Sequence, residues 1–344
     1  METPSGRAGA SEITAWAVTD GRAGNETQAV GLLEAFARVR PVRVERHRIE
    51  LLRAFAWMPP RLWALPGAWE GGWPFLGLRG GAGALPRPWP DVVVGTGRRS
   101  GPVVAAMKKI EPRIFAVQIL DPQMPVEAFD LVVVPDHDRL EGPNVIRVLG
   151  SMNRLSQKRL AEEAKSWHQR LALLPRPRVA VLLGGPSDSA QWAPGDGAQL
   201  GDNLLEMARA GASLMITPSR RTPAKLIEEV KAALAGRIYW LWDGRGDNPY
   251  FGMLGLADAF VVTADSVNMV SEATSTGKPV HVAQVSGLSP KIRRFHAALE
   301  TQGITRTFRG RLEKWDYVPI DETARVAGEL AARIGAVTRQ AGPG

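Results

Sequence analysis

The residues of this chain that could do chemistry sit where apolar runs stop. T-D-G-R-A-G-N-E-T-Q (19–28) follows the first such run. Gly21 and Gly24 let backbone approach a ligand, and the opening of a helix offers free N–H groups to an anion. Asp20, Arg22, Asn25 and Gln28 crowd the same turn, whereas a plain strand-to-helix bend would need only the glycines. G-T-G-R-R-S-G-P (95–102) repeats the arrangement: Gly97 with Arg98 and Arg99 makes an anion cradle, because guanidinium groups fit phosphate and carboxylate. Its spacing is one residue longer than the dinucleotide fingerprint and no acidic residue follows at the usual distance, so NAD is not expected. Q-I-L-D-P (118–122) sets Asp121 at a strand exit. P-D-H-D (135–138) adds two carboxylates and a histidine, a grouping commoner in strand-end turns than in metal sites.

The second half follows the same grammar. In L-G-G-P-S (183–187), Gly184 and Gly185 free backbone N–H groups and Ser187 adds a hydroxyl. T-P-S-R-R-T-P (217–223) puts Arg220 and Arg221 beside a helix start. The richest stretch is T-A-D-S-V-N-M-V-S-E-A-T-S-T-G-K-P-V (263–280). Asp265 and Ser266 make an N-cap pair, and Asn268, Ser271 and Glu272 are three and four residues apart, hence on one helical face. A helix N-terminus with hydroxyls and one glutamate can hold a diphosphate and a ribose diol together.

These turns need strands and helices to hold them, and the pattern supplies both. Apolar β-rich runs at 13–19, 42–49, 91–95, 114–120, 131–135 and 145–149 alternate with helical periodicity at 26–38, 102–110 and 153–171. A second set of strands at 179–184, 212–217, 237–242, 259–263 and 280–285 alternates with helices at 199–210, 223–234, 267–276 and 289–302. Runs such as VVVG, VAVLLG and AFVVTA are apolar throughout, as strands covered on both faces must be. The expected fold is α/β: two Rossmann-like, doubly wound parallel-sheet domains facing across a cleft. Proline-rich LLPRPR (173–178) marks the boundary, giving domains 1–172 and 178–318 and a C-terminal helix and tail at 319–344.

Composition narrows the function. The chain has 344 residues, 44% hydrophobic, and a net charge of +8, a surplus that suits phosphate-bearing small molecules or an anionic membrane better than nucleic acid. With no cysteine, a disulfide framework, a zinc ribbon, an iron–sulfur cluster and a cysteine nucleophile are all excluded. No secretory h-region opens the sequence and no run of about 18 apolar residues could span a bilayer. A cytoplasmic protein is expected, with peripheral attachment to the inner membrane face as a variant. That variant comes from residues 51–90, which hold five of the eleven tryptophans (Trp57, Trp63, Trp69, Trp73 and Trp89) among Pro, Gly and Arg. They read either as an irregular insertion packed on the first sheet or as an interfacial patch.

Taken in order, VTDGRAGNETQA, VVGTGRRSGP, QILDP, VVVPDHD, GGPS, MITPSRRTP and VVTADSVNMVSEATSTGKPV occur across residues 16–285 and resemble the bacterial branch of the mitochondrial fission "elongated mitochondria" family. That family is similar in turn to glycosyltransferases of the two-Rossmann GT-B fold. The resemblance implies a donor nucleotide-sugar held by the C-terminal domain through Gly184, Gly185, Ser187, Ser266, Asn268, Ser271 and Glu272, with Glu272 on the ribose. It implies an acceptor at Gly21, Gly24, Asn25, Gly97 and Arg98. Related transferases often carry a histidine where this chain has Asn25, which cannot act as a base, so Asp20, Glu26 or Asp121 would take the proton. The expected function is a metal-independent glycosyltransferase-like protein that needs no cofactor, using a UDP-sugar on a lipid-linked or other cell-envelope acceptor. Arg220 would stabilise the leaving diphosphate. The alternatives are a catalytically silent scaffold that binds a nucleotide or recruits a partner protein, as plant members are associated with doing, and a nucleotide-sugar epimerase of the non-NAD kind.

Overall fold

The computed structural model describes residues 12–64, 73–138 and 140–340. Its backbone builds two parallel sheets of six strands, one in each of two compact units. In the first unit the strands are β1 (Ile13–Thr19), β2 (Val42–Arg48), β3 (Val92–Thr96), β4 (Phe115–Ile119), β5 (Leu131–Pro135) and β6 (Val145–Val148). They lie in the order β2-β1-β3-β4-β5-β6. Strands β3, β4 and β5 are buried at every residue, which explains why their sequences are apolar without alternation. Edge strand β2, VRVERHR, puts charge on the solvent side instead. Helix α1 (Ala23–Val39) covers one face through Leu32, Leu33 and Phe36, against Val92 and Val94. Helix α2 (Gly101–Ile110) covers the other through Val103, Val104 and Met107, against Val93.

After helix α3 (Gln157–Leu171), the second unit lays down β7 (Arg178–Leu183), α4 (Asp196–Arg209), β8 (Ser213–Pro218), α5 (Ala224–Ala233) and β9 (Tyr239–Leu241). Helix α6 (Tyr250–Leu256), β10 (Ala259–Thr263), α7 (Val267–Thr274), β11 (Val280–Ala283), α8 (Pro290–Thr301) and β12 (Thr305–Thr307) complete it. The order β9-β8-β7-β10-β11-β12 is, in chain order, the 3-2-1-4-5-6 of a Rossmann sheet. Helix α6 and strand β12 were not among the expected elements. A two-stranded antiparallel pair, Ala190–Gln191 with Gly287–Leu288, stands apart from the main sheet.

The units divide differently from the expected boundary at 173–178. The first takes the chain to Val148, Met152–Arg154 and everything from Glu322; the second takes Leu149–Ser151 and Leu155–Asp321. Helix α3 therefore belongs to the second unit, because its apolar stripe of Leu160, Trp167 and Leu171 is buried there with Met253 and Leu254 of α6. A Cβ at Gly252 would stand 2.4 Å from the Trp167 ring, so the missing side chain is what lets these helices approach. LLPRPR is no free linker either. The Arg178 guanidinium folds back onto the carbonyls of Leu174 (2.8 Å) and Ala172 (2.7 Å), and Arg176 pairs with Asp258 at 2.6 Å. The C-terminal helix, Glu322–Gln340, completes the first core with Val326, Ala327 and Leu330.

Residues 51–90 split into two behaviours. Phe75, Leu78, Leu85 and Trp89 are buried against Trp16, Val18 and helix α2, with Trp89 stacked on Phe75 at 5.5 Å and its indole N–H donating to the Leu85 carbonyl at 3.0 Å. Trp57 instead stands in solvent. Trp69, and the side chains of Trp63 and Trp73, lie outside the described residues. Among the described residues, no helix is long and apolar enough to cross a membrane.

Two glycines test this packing in opposite directions. A Cβ at Gly31 of α1 would lie 2.3 Å from the Asn153 carbonyl oxygen, while at Gly328 it would meet nothing. Gly31→Ala is expected to destabilise by roughly 1–3 kcal/mol through overpacking. Gly328→Ala is expected to stabilise by about 0.5–1 kcal/mol through helix propensity. Denaturant unfolding of both variants checks the pair; equal midpoints would overturn the assignment of α1 against residues 152–154.

Candidate functional site

In a doubly wound sheet the strand order reverses at one point, and the loops leaving the strands there diverge to opposite faces. In the second unit that point lies between β7 and β10, whose exits are Gly184–Gly185 and Ala264–Ser266. The two turns are bonded to each other. Gly184 N–H donates to Thr263 Oγ1 at 2.8 Å, and Gly185 N–H donates to Asp265 Oδ2 at 2.6 Å. A Cβ at Gly184 would lie 2.0 Å from Asp265 Oδ2, and one at Gly185 would lie 2.1 Å from the Arg221 carbonyl oxygen. Both positions must be glycine for this close approach, not for an unusual dihedral.

The exit of β8 closes the third side. Arg221 Nη1 donates to the Gly185 carbonyl at 2.9 Å, and Nη2 lies 3.7 Å from Asp265 Oδ2. The Thr222 hydroxyl sits against the carbonyls of Leu183 and Gly184. Arg220, the expected diphosphate partner, is exposed. Asp265 is 4% exposed, and burial raises its pKa against the lowering effects of Gly185 N–H, Thr263 and Arg221. Its Oδ1 has no hydrogen-bond partner among the described residues. Ser187 lies just beyond, its Oγ accepting from Ser189 N–H at 3.3 Å in a turn.

Helix α7 starts at this junction. Ser266 caps it, Oγ accepting from Met269 N–H at 3.4 Å, and Asn268 is half-exposed in the first turn. The face expected to carry Ser271 and Glu272 toward a ligand turns inward. Ser271 Oγ accepts from Ser151 N–H at 3.0 Å and donates to the Val267 carbonyl at 2.8 Å, so its hydroxyl serves packing. Glu272 is 6% exposed and accepts a hydrogen bond from the Tyr250 hydroxyl. Burial pushes the Glu272 carboxyl up to about 7, opposed by that hydrogen bond and by Arg159; burial and Glu272 together hold the Tyr250 phenol well above its usual range. Arg159 itself lies over the Phe251 ring at 3.7 Å. His296 is also buried here, its Nε2 2.7 Å from the Ala264 carbonyl.

In the first unit the order reverses between β1 and β3, and again the expected residues meet. Asp20 Oδ1 accepts from Asn25 Nδ2 at 3.0 Å and from Arg22 N–H at 3.3 Å. Its Oδ2 lies 3.4 Å from Arg22 Nε and 3.5 Å from Arg99 Nη1. The turn of β1 is thus tied to the turn of β3. Gly21 (φ +73°) and Gly97 (φ +75°) both take left-handed backbone, and a Cβ at Gly21 would strike the Arg48 side chain. Gly24 lies inside α1, which begins at Ala23, earlier than expected, and Gln28 is buried one turn on. Arg98 is exposed.

Glu26 and Asp121 do not join Asp20. Glu26 faces Arg46 at 4.0 Å. Asp121 Oδ1 accepts from Gln123 N–H at 2.7 Å, in a turn where Leu120 (φ 67°) and Gln123 (φ 55°) are both left-handed, a conformation strained for a leucine. Asp136–Asp138 form a short 3-10 turn, and among the described residues no group of three or more His, Asp or Glu is disposed to hold a metal ion. Thr263, Thr222, Tyr250 and Arg159 were not expected at the site, and of the two arginines noted at 220–221 it is Arg221 that reaches it. Thr263 ends a buried run and could have been read; Tyr250 lies on a helix the pattern did not reveal.

The profile of the family described as Mitochondrial fission ELM1 matches residues 23–334. The chain belongs to that family. It is 34% identical over 277 residues to the mitochondrial fission protein ELM1 of Arabidopsis thaliana, covering 71% of this chain and 65% of that protein. The match thus spans slightly less than two-thirds of the Arabidopsis relative. An uncharacterized protein of Rickettsia prowazekii is 28% identical over 284 residues, 69% of this chain and 78% of that one. Among solved structures, UDP-GlcNAc 2-epimerase of Methanocaldococcus jannaschii, in complex with UDP-GlcNAc and UDP, aligns with a TM-score of 0.52 and 11% identity over 94% of this chain and 100% of that one. This likeness is one of fold: two Rossmann-like doubly wound units of the GT-B type.

The Glu272–Tyr250 pair carries a pH prediction. In the folded chain Glu272 keeps its proton up to about pH 7, whereas unfolded it loses it near 4.5. The unfolded state therefore sheds the proton first, and stability falls as pH rises from about 4.5 to 7, by on the order of 2–3 kcal/mol. Glu272→Gln is expected to flatten that slope. Unfolding curves across this range test it, and an unchanged slope in the variant would assign the pH dependence to another group.

Proposed function

We propose that this chain binds a nucleotide-diphosphate sugar, UDP-sugar first, at the strand-order reversal of the second unit, and acts as a metal-independent glycosyltransferase. The observation that carries this reading is the convergence there of Gly184–Gly185, Thr263–Ser266 and Arg221, three distant stretches knit around one buried carboxylate. The first turn of α7 and Arg220 would meet the diphosphate. Asp265 Oδ1, without a partner among the described residues, suits a sugar hydroxyl. Glu272 would hold the ribose diol by exchanging its bond to Tyr250. Ser187 and Asn268 remain at the rim of the site, while Ser271 supports it from below.

The acceptor side falls to the first unit, to Gly21, Gly97, Asn25 and the two arginines Arg98 and Arg99. An acceptor hydroxyl would attack C1 of the sugar; the C1–O bond to the diphosphate breaks, and the hydroxyl proton passes to a carboxylate. Asp20 is a poor choice for that proton, because Arg22, Arg99 and Asn25 already occupy its oxygens. Asp121, held at a strained strand exit, takes the role in this reading. A cell-envelope acceptor linked to lipid is the favoured class.

A second reading, supported by the family description and the Arabidopsis relative, is a catalytically silent scaffold that recruits a partner protein. A third is a non-NAD epimerase, supported by what the Methanocaldococcus structure is named for. Calorimetric titration with UDP, GDP, TDP and CMP separates the first two. One nucleotide is expected to bind, and Arg221→Ala to weaken it roughly tenfold through the lost charge-assisted contact. A folded protein that binds none of the four moves the assignment to the scaffold. Interconversion of a free UDP-sugar with no acceptor present would establish the epimerase instead.

A further inference from the structure

Residues 51–62 keep large apolar side chains in solvent: Trp57 is 86% exposed, Leu62 46% and Leu52 42%. The short helix Arg53–Trp57 buries none of its residues. The same stretch contains Arg53 and Arg61, both exposed, and no aspartate or glutamate. Its inner side is apolar as well. Leu51, Phe55 and Met58 line a shallow dent of about 10 Å³, room for a single water and partly open to solvent, whose opposite wall is Arg98 and Arg99. Hydrocarbon beside guanidinium groups on one surface suits an interface where lipid chains meet phosphates. Free phosphate would leave the apolar residues wet, and a neutral apolar surface would offer nothing to the exposed Arg53, Arg61 and Arg98.

We propose that residues 51–62 dock this protein on an anionic phospholipid bilayer. Trp57, Leu52 and Leu62 enter the headgroup–acyl boundary, where the indole keeps its N–H in contact with water and phosphate. Arg53, Arg61 and Arg98 lie against lipid phosphates. The reach of the surface is limited to this segment, because Phe75, Leu78, Leu85 and Trp89 of the same insertion are spent on the core. Net charge alone would draw the protein loosely to any anionic surface. An exposed tryptophan flanked by leucines and exposed arginines adds depth and orientation. None of this depends on what the second unit binds.

The test is co-sedimentation of the full chain with phosphatidylglycerol vesicles, with phosphatidylcholine vesicles, and with phosphatidylglycerol vesicles plus millimolar inorganic phosphate. Wild type is compared with a Trp57→Ala/Leu62→Ala double variant and an Arg53→Gln/Arg61→Gln double variant. Both pairs are solvent-facing, so an unchanged thermal midpoint is expected and confirms folding. Binding is expected to phosphatidylglycerol and not to phosphatidylcholine. The Trp57/Leu62 variant should lower the partition coefficient roughly tenfold or more. The Arg53/Arg61 variant should weaken binding and flatten its salt dependence. Binding that the Trp57/Leu62 variant leaves unchanged would overturn the proposal in favour of general charge attraction. Displacement by inorganic phosphate would overturn it in favour of an ion site, and binding to neither vesicle would leave the patch to a protein partner. All three failures are independent of the nucleotide titration.

Discussion

A carboxylate taken out of water needs hydrogen-bond donors within reach, and Asp265 draws on separate stretches of chain to meet that need. Gly185 N–H and the Arg221 guanidinium converge on one of its oxygens. Each donor comes from the exit of a different strand, so the carboxylate fixes where three turns of the second unit stand. Losing a donor would leave the buried Asp265 carboxylate short of a partner, which costs more than the bond itself contributes, whereas the exposed Arg221 would turn to water. The two glycines follow from this arrangement. They are where the backbone must pass within van der Waals distance of Asp265 and of the Arg221 carbonyl.

Asp20 does related work in the first unit with different chemistry. Its partners are side chains more than backbone, and two of them are guanidinium groups. A carboxylate so engaged orders the loops around it and is ill suited to take a proton in a reaction. The two sheets thus present the same device, an acid at the point of strand-order reversal, but one is sheltered by glycine backbone and the other by arginine. In the reading proposed above, that difference separates a pocket for a diphosphate sugar from a more exposed surface for an acceptor.

Most of the sheet architecture was legible because parallel strands buried on both faces must be apolar at each position, as β3, β7 and β10 are. Their exits could then be read as turns that meet: Gly184, Gly185 and Asp265 come together in the second unit, and Asp20 and Asn25 in the first. What escaped was decided by tertiary contact. Helix α6 is short, preceded by proline and interrupted by glycines, features that argue against a helix until Trp167 is seen to need Gly252 beneath it. Spacing put Ser271 and Glu272 on a common side of α7, yet spacing does not say whether that side meets solvent, ligand or the core. Arg220 and Arg221 are neighbours in sequence; only the Ser219–Thr222 turn decides which of them folds over Gly185. The division at 149–154, and not at the prolines, depended on which helix α3 would choose to bury its stripe against.

The return of the C-terminal helix to the first unit has a consequence for biogenesis. Val326, Ala327 and Leu330 fill the same core as Leu32, Leu33 and Phe36. The ribosome releases the chain from its N-terminus, so the first unit waits for the helix Glu322–Gln340 before its core is complete. The second unit, Leu149–Ser151 and Leu155–Asp321, has its whole complement earlier. The order of completion therefore runs opposite to the order of synthesis, and the face of α1 that meets Val326, Ala327 and Leu330 lacks its cover until that helix is made.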